Sequence, residues 1–261
     1  MTILQSILLG IVQGLTEFLP VSSSGHLVLM QKIFGIREGA LVFDTMLHAG
    51  TLVAVFIVFW KDIVGIIKKP LGKLPLMLVV ATIPTIIIAI LFKDFFEKAF
   101  ASGATLGFEF ILTGIVLYAV ESIRQGERKL KELNYVDAVI IGVAQGVAIL
   151  PAVSRSGLTI AGALSRKLDR TFAAHFSFLL SIPAILGSII FQIKDIAKEG
   201  AANTNMLPII LGTLFAAIFG LLSIKIMLRV ITQGSLKIFA WYVWVLGAFI
   251  ITDQYLLHIF F

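Results

Sequence analysis

The chain has 261 residues, of which 59% are hydrophobic and 14% charged, with a formal net charge of +6 and no cysteine. Soluble domains carry roughly 25% charged residues and the mean hydropathy here is +1.02, so the composition excludes an ordinary soluble domain and describes a polytopic membrane protein. The missing cysteines exclude disulfides, thiolate nucleophiles and Cys-ligated zinc or iron–sulfur centres, and the positive charge lies in loops, where it reads as an orientation signal and not as a nucleic-acid footprint.

The first residues lack a basic region followed by a small-residue cleavage site, so no cleaved signal peptide is expected. Apolar sequence runs over 3–19 and resumes over 24–36, and the break between them holds Pro20, Ser22, Ser23, Ser24 and Gly25. Proline lacks an N–H and pushes Leu19 out of the helical region, so a helix should stop there. Glu17 and His26 flank the break. An ionisable group at membrane depth costs about 2.5–3.5 kcal/mol on insertion scales, so it is expected to face a partner or a wet cavity.

Residues 41–60, 75–92 and 105–122 then read as spans. A second break follows, flanked by apolar pieces at 138–150 and 157–165, and it repeats the punctuation of the first. Gly10-Ile-Val-Gln13-Gly14 matches Gly142-Val-Ala-Gln145-Gly146, and Ser22-Ser23-Ser24-Gly25 matches Ser154-Arg155-Ser156-Gly157 at the same offset. The chemistry differs: Ile149 and Leu158 stand where the first copy has Glu17 and His26, and Arg155 stands where it has Ser23. Residues 171–193, 207–228 and 237–257 complete the spans. Each piece beside a break is shorter than the roughly 20 residues a span needs, so each broken pair suits a hairpin that enters the membrane and returns. Irregular backbone at that depth must be buried in protein or line a cavity.

Loop charge sets direction. Lys61, Lys68, Lys69 and Lys73 outweigh Asp62 in one loop, and Arg124, Arg128, Lys129 and Lys131 outweigh Glu127 and Glu132 in another, so both should be cytoplasmic. Arg166, Lys167 and Arg170, and later Lys225, Arg229 and Lys237, mark further inner ends, while the balanced loops at 93–98 and 194–199 should lie outside. The first hairpin then has both ends outside and the second both ends inside. The expected fold is an all-α polytopic membrane protein, a single integral domain over 1–261. It is expected to hold two inverted-topology repeats of about 1–125 and 135–261, with two re-entrant broken-helix hairpins and about six transmembrane helices. The hairpins would meet near the midplane and bring Glu17, His26 and Arg155 into one cavity.

Such a cavity suits a phosphate ester or anhydride. Arg155 grips phosphate bidentately. Ser154, Ser156 and Thr159 sit at a helix start, where hydroxyls and N–H groups add anion contacts, and Ser22, Ser24, Gly25 and Gly157 are their neighbours or counterparts. Glu17 can hold Mg2+ or Ca2+ through oxygen, with Gln13 one turn back as a neutral oxygen ligand. His26 serves as base or nucleophile. Asp44 and His48 are expected to cap a span at the interface, with support of the site residues as the alternative, Glu109 and Glu121 to snorkel from span ends, and Trp60, Trp241 and Trp244 to anchor at the interface.

These motifs resemble the bacterial undecaprenyl pyrophosphate phosphatase family, also known for bacitracin resistance. Its (Glu/Gln)-x-x-x-Glu motif corresponds to Gln13 through Glu17, its Ser-Ser-x-Gly-His element to Ser22 through His26, and its Pro-Gly-x-Ser-Arg-Ser-x-x-Thr motif to Pro151 through Thr159. The resemblance extends nearly end to end, including Phe176 to Pro183. Gln13 takes the neutral option at its motif position, and Ala152 replaces the motif glycine, which disfavours a left-handed backbone there. The resemblance implies a metal-dependent hydrolase that converts undecaprenyl diphosphate to the monophosphate and phosphate, recycling the lipid carrier for peptidoglycan synthesis. It implies a plasma-membrane location with the site opening outward, and antagonism by bacitracin, which binds the substrate. A homo-oligomer is compatible with it. Ser23 and His26 both stand as candidate nucleophiles. The competing class is a polyprenyl-phosphate flippase or transporter, because inverted repeats with broken helices are transporter architecture. Hydrolysis needs the carboxylate and the base, whereas transport needs only the cationic grip. A third class, the lipid phosphatases with Ser-Gly-His and Ser-Arg-x5-His motifs, fits at Ser24-Gly25-His26 but fails at Ser165-Arg166, which stands too far before His175.

Overall fold

In a computed structural model the chain is a bundle of helices, described over residues 1–36, 40–199 and 206–261. The helices are α1 (Ile3–Phe18), α2 (Ser23–Phe34), α3 (Ala40–Val58), α4 (Trp60–Lys68), α5 (Lys73–Leu91), α6 (Lys93–Ser102), α7 (Leu106–Glu121), α8 (Tyr135–Val147), α9 (Arg155–Ser165), α10 (Arg170–Glu199), α11 (Met206–Gln233) and α12 (Lys237–Thr252), with a π-helical turn over Asp253–Leu257. Among the described residues there is no strand beyond one isolated bridge between Arg128 and Leu168. Among the described residues five helices are long and apolar enough to cross a membrane, and α6 with α7, bent by 110° between them, make a sixth when the pair is taken as one span. The expected all-α polytopic architecture is therefore present, with about the expected number of spans.

Both breaks fall where the sequence places them. A capping box between Thr2 and Gln5 starts α1, and Leu19, extended at ψ 145° before Pro20, ends it. Ser22 caps α2 from a positive φ of 65°, and the left-handed Gly35 closes it. A second capping box, Asn134 with Asp137, starts α8, and Ser154 caps α9 by accepting from the Gly157 N–H. Ala152 is not among the described non-glycine residues with positive φ, so the backbone there has no need of the motif glycine.

Three expectations at the loops change. The basic segment after α3 folds into the amphipathic α4, which buries Ile63 and exposes Lys61 and Lys68. The balanced segment 93–98 opens α6, which buries Phe96 and Ala99 and pairs Lys93 with Glu97 at 3.4 Å. Apolar anchors at the right spacing make helices where charge alone reads as loop. The balanced segment 194–199, expected as an outer loop, instead ends α10 at Glu199, and residues 200–205 after it lie outside the described residues.

The broken helices are held by close backbone packing. α1 lies along α11, and α8 along α5. A Cβ on Gly10 would come within 2.3 Å of the Gly212 carbonyl oxygen, and one on Gly142 within 2.0 Å of the Ala81 carbonyl oxygen. Small residues are what let helix backbones approach this closely in a membrane. Large apolar side chains such as Ile83, Ile86 and Ile90 on α5, or Leu214, Ile218 and Leu222 on α11, stay exposed on the outside, as a lipid-facing surface requires. Phe18 at the end of α1 packs edge-on to Phe178 of α10, with ring centroids 5.5 Å apart, and ties the first break into the core.

Candidate active site

The two breaks meet. The Ser22 hydroxyl donates to the Pro151 carbonyl at 2.7 Å, and the Ser156 hydroxyl donates to the Leu19 carbonyl at 3.1 Å, so each break satisfies a backbone acceptor of the other. Gly25 sits where a Cβ would be 2.9 Å from Ala152 Cβ and 2.7 Å from the Phe110 ring. The close approach of the two breaks, not a special φ, is what demands glycine there. Ser154 and Gly157 complete the joint through their own cap, 3.1 Å from Gly157 N to Ser154 Oγ.

At this joint Glu17, which is 5% exposed, gathers residues from both halves. Its Oε1 accepts from the Arg155 guanidinium across the joint. Its Oε2 accepts from Ser23 Oγ at 2.5 Å and from Gln13 Nε2 at 2.9 Å, while His48 Nε2 stands 3.8 Å away. The sequence-derived residues Gln13, Glu17, Ser23 and Arg155 therefore share one cluster. Since Ser23 and Arg155 touch the same carboxylate, they are close enough to reach one small anionic group.

Other candidates are placed differently. His26 turns away from Glu17: its Nδ1 is 2.6 Å from the Ser22 carbonyl and its Nε2 is 2.7 Å from the Tyr242 hydroxyl of α12, with Phe110 edge-on at 5.4 Å. A carbonyl only accepts, so Nδ1 carries the hydrogen and Nε2 accepts from the tyrosine. Thr159 spends its hydroxyl on the Arg155 carbonyl at 2.8 Å and on Ser177 of α10 at 2.6 Å, away from the cluster. Ser24 lies half-buried beside the cluster without a hydrogen bond to it.

Sequence reasoning undervalued several residues. His48 is expected at the interface, yet it faces Glu17, with Nδ1 donating to the Asp44 carbonyl at 2.8 Å. Asp44 itself accepts from Gln31 at 2.7 Å. Glu109 is expected to snorkel, yet it is 5% exposed and accepts from the Ala152 N–H at 2.7 Å. Thr113, one turn on, donates to the Ala152 carbonyl and accepts from the Ser154 N–H, both at 3.1 Å. Together they fix the second break, because freed backbone groups at this depth need partners. Tyr242 carries no motif signal at all. Glu121 is held by both Arg170 nitrogens at 2.9 and 3.2 Å and by the Leu236 N–H at 3.0 Å, so it locks three helices where snorkelling is expected. Trp244 likewise packs inward, its Nε1 donating to the Ile111 carbonyl at 3.1 Å, while Trp60 and Trp241 are exposed as interface anchors should be.

Among the described residues no three His, Cys, Asp or Glu side chains group as a metal cluster. The donors around Glu17 nevertheless fit a hard cation: Glu17 is a carboxylate, and the buried Gln13 Oε1 has no hydrogen-bond partner. Mg2+ in particular needs only one or two carboxylates and completes its shell with water and substrate phosphate.

A family model described as bacitracin resistance protein BacA matches residues 6–249. The chain is 52% identical to an undecaprenyl-diphosphatase of Carboxydothermus hydrogenoformans, over 96% of this chain and 97% of that one. It is 51% identical to undecaprenyl-diphosphatase 4 of Bacillus thuringiensis, over 98% and 99% of the two chains. An undecaprenyl-diphosphatase of Halothermothrix orenii is 47% identical over 96% of this chain and 98% of its own. Both breaks and every residue of the Glu17 cluster lie inside the matched region, and the chain belongs to the BacA bacitracin-resistance family.

Proposed function

We infer that this chain is an undecaprenyl-diphosphatase, a membrane hydrolase that converts undecaprenyl diphosphate to undecaprenyl phosphate and inorganic phosphate. The observation that carries the reading is the meeting of Arg155 and Ser23 on Glu17, one from each break. A diphosphate replaces Glu17 as the partner of the Arg155 fork, which matches phosphate geometry. The exchange frees the carboxylate to act as a base. The Ser23 hydroxyl, already hydrogen-bonded to Glu17 at 2.5 Å, is the group best placed to attack the terminal phosphorus. In that step the Ser23 proton passes to Glu17, an oxygen–phosphorus bond forms, and the bridging bond breaks with its electron pair leaving on undecaprenyl phosphate. Water then attacks the phosphoserine, the bond from the Ser23 oxygen to phosphorus breaks and that oxygen takes back the proton held by Glu17, the attacking water's proton passes to Glu17 and on to solvent, and phosphate departs. His26 has its Nε2 occupied by Tyr242, which supports a role in orienting the first break over attack.

Glu17 and Gln13 would hold the divalent cation, Mg2+ or Ca2+, which when bound neutralises phosphate charge as a Lewis acid. The paired caps and the matched Gly10 and Gly142 contacts support two inverted repeats, about 1–125 and 135–261, within one membrane domain. Loop charge supports a plasma-membrane orientation with the site opening outward. Bacitracin, by sequestering the same lipid, would compete with the enzyme for substrate. The carrier alternative leaves Glu17 and Ser23 without a task. Phosphate release from farnesyl or undecaprenyl diphosphate by the purified protein decides between the two. We expect release that EDTA abolishes, and a protein that binds the lipid without releasing phosphate under any added cation would refute the hydrolase.

A further inference from the structure

We propose that Tyr242 is a positioning residue for Ser23, acting through His26 and the peptide that joins Ser22 to Ser23. The proposal rests on the reading of Ser23 as the attacking group. Ser22 holds a positive φ of 65° at ψ 102°, a conformation that a residue with a side chain keeps only where its surroundings fix it. Its hydroxyl is tied to the Pro151 carbonyl at 2.7 Å. Its carbonyl accepts from His26 Nδ1 at 2.6 Å, and from the His26 backbone N–H only at 3.3 Å. The imidazole is therefore the closer clamp on the peptide that carries Ser23, whose hydroxyl stands on Glu17 at 2.5 Å.

The ring is held in turn from α12. The Tyr242 hydroxyl is 2.7 Å from His26 Nε2, the two rings lie parallel within 5°, and Phe110 of α7 closes the third side edge-on. His26 is 8% exposed and Tyr242 is 48% exposed, so a half-exposed tyrosine turns its one polar atom inward onto a buried ring. With Nδ1 donating to the carbonyl, Nε2 needs a donor of its own. Without the tyrosine hydroxyl that buried acceptor is unpaired. The ring then turns towards water or substrate, Nδ1 leaves the Ser22 carbonyl, and the backbone at Ser22 relaxes, taking Ser23 off Glu17. The second break is a control. Leu158 stands where the first copy has His26, and Ser154, the counterpart of Ser22, has an ordinary φ of −70°. A break with the same punctuation and no positive φ has no imidazole clamp.

The test is hydrolysis of farnesyl diphosphate by Tyr242→Phe, which removes one oxygen and keeps the ring. We expect kcat to fall about tenfold with KM within about twofold of wild type. Because the hydroxyl acts through His26, the double variant should be no slower than His26→Ala alone. Wild-type kcat in Tyr242→Phe, a loss confined to KM, or a double variant whose loss is the product of the two single losses would overturn the proposal. Nitrogen NMR of histidine-labelled protein gives a readout independent of turnover. The His26 signals, assigned by their loss in His26→Ala, should show the hydrogen on Nδ1 in wild type. A hydrogen on Nε2 instead would overturn the proposal even where Tyr242→Phe does not fold. A wild-type protein that releases no phosphate with any cation would sink the hydrolase reading, whereas a working hydrolase with uncoupled Tyr242 and His26 would sink this proposal alone.

Discussion

Glu17 is where the two halves of the chain exchange chemistry. It is buried at membrane depth, and only the convergence of Arg155, Ser23 and Gln13 makes its charge affordable there. Glu17→Gln keeps the shape and removes the base. We expect kcat for diphosphate hydrolysis to fall about a hundredfold or more, with the protein still recovered folded from the membrane; near-normal turnover with unchanged cation dependence would remove Glu17 from the reaction. Ser23→Ala should be at least as damaging, because it removes the attacking oxygen, whereas His26→Ala should lower kcat and leave KM nearly unchanged. A serine variant that turns over faster than the histidine variant would reverse those two roles. At this scale the sequence was most legible where a motif repeats. Gln13, Glu17, Ser23 and Arg155 stand out because two copies of one punctuation carry different chemistry. His48, Glu109, Thr113 and Tyr242 were not legible as site residues. Each sits in an otherwise ordinary span, and its importance comes from what a remote helix places beside it.

The helices show why the breaks end up facing each other. α1 and α8 are too short to cross alone, and each is pressed against a full span through a glycine. Gly10→Leu and Gly142→Leu should both force backbones apart and cost roughly 1–3 kcal/mol by overpacking, since a Cβ alone would approach carbonyl oxygens at 2.3 and 2.0 Å. The check is a lower Tm in detergent for both, together with reduced hydrolysis; unchanged melting in either would mean that its helix pair tolerates separation. Pro20 and the serines of the two breaks made the boundaries beside the breaks readable from sequence. The amphipathic α4 and α6 were hidden because the charge that reads as loop also decorates one face of each helix. The second break was readable in position but not in support, because Glu109 and Thr113 reach it from α7.

For the whole molecule, orientation follows from Lys and Arg placement. A single cysteine introduced at position 70 in this cysteine-free chain should resist a membrane-impermeant maleimide in intact cells and react once the membrane is opened, while one at position 100 should react from outside. Outside labelling at position 70 would invert the topology and, with it, the side on which the site opens. The central claim is that a residue of the second break acts on the same diphosphate as Glu17 of the first. Arg155→Lys tests it most directly, because it keeps the charge and loses the planar fork. Steady-state hydrolysis of farnesyl diphosphate by the purified variant should show kcat/KM at least tenfold below wild type, about 1.4 kcal/mol of lost transition-state stabilisation. A variant that folds and retains wild-type kcat/KM would contradict the shared site.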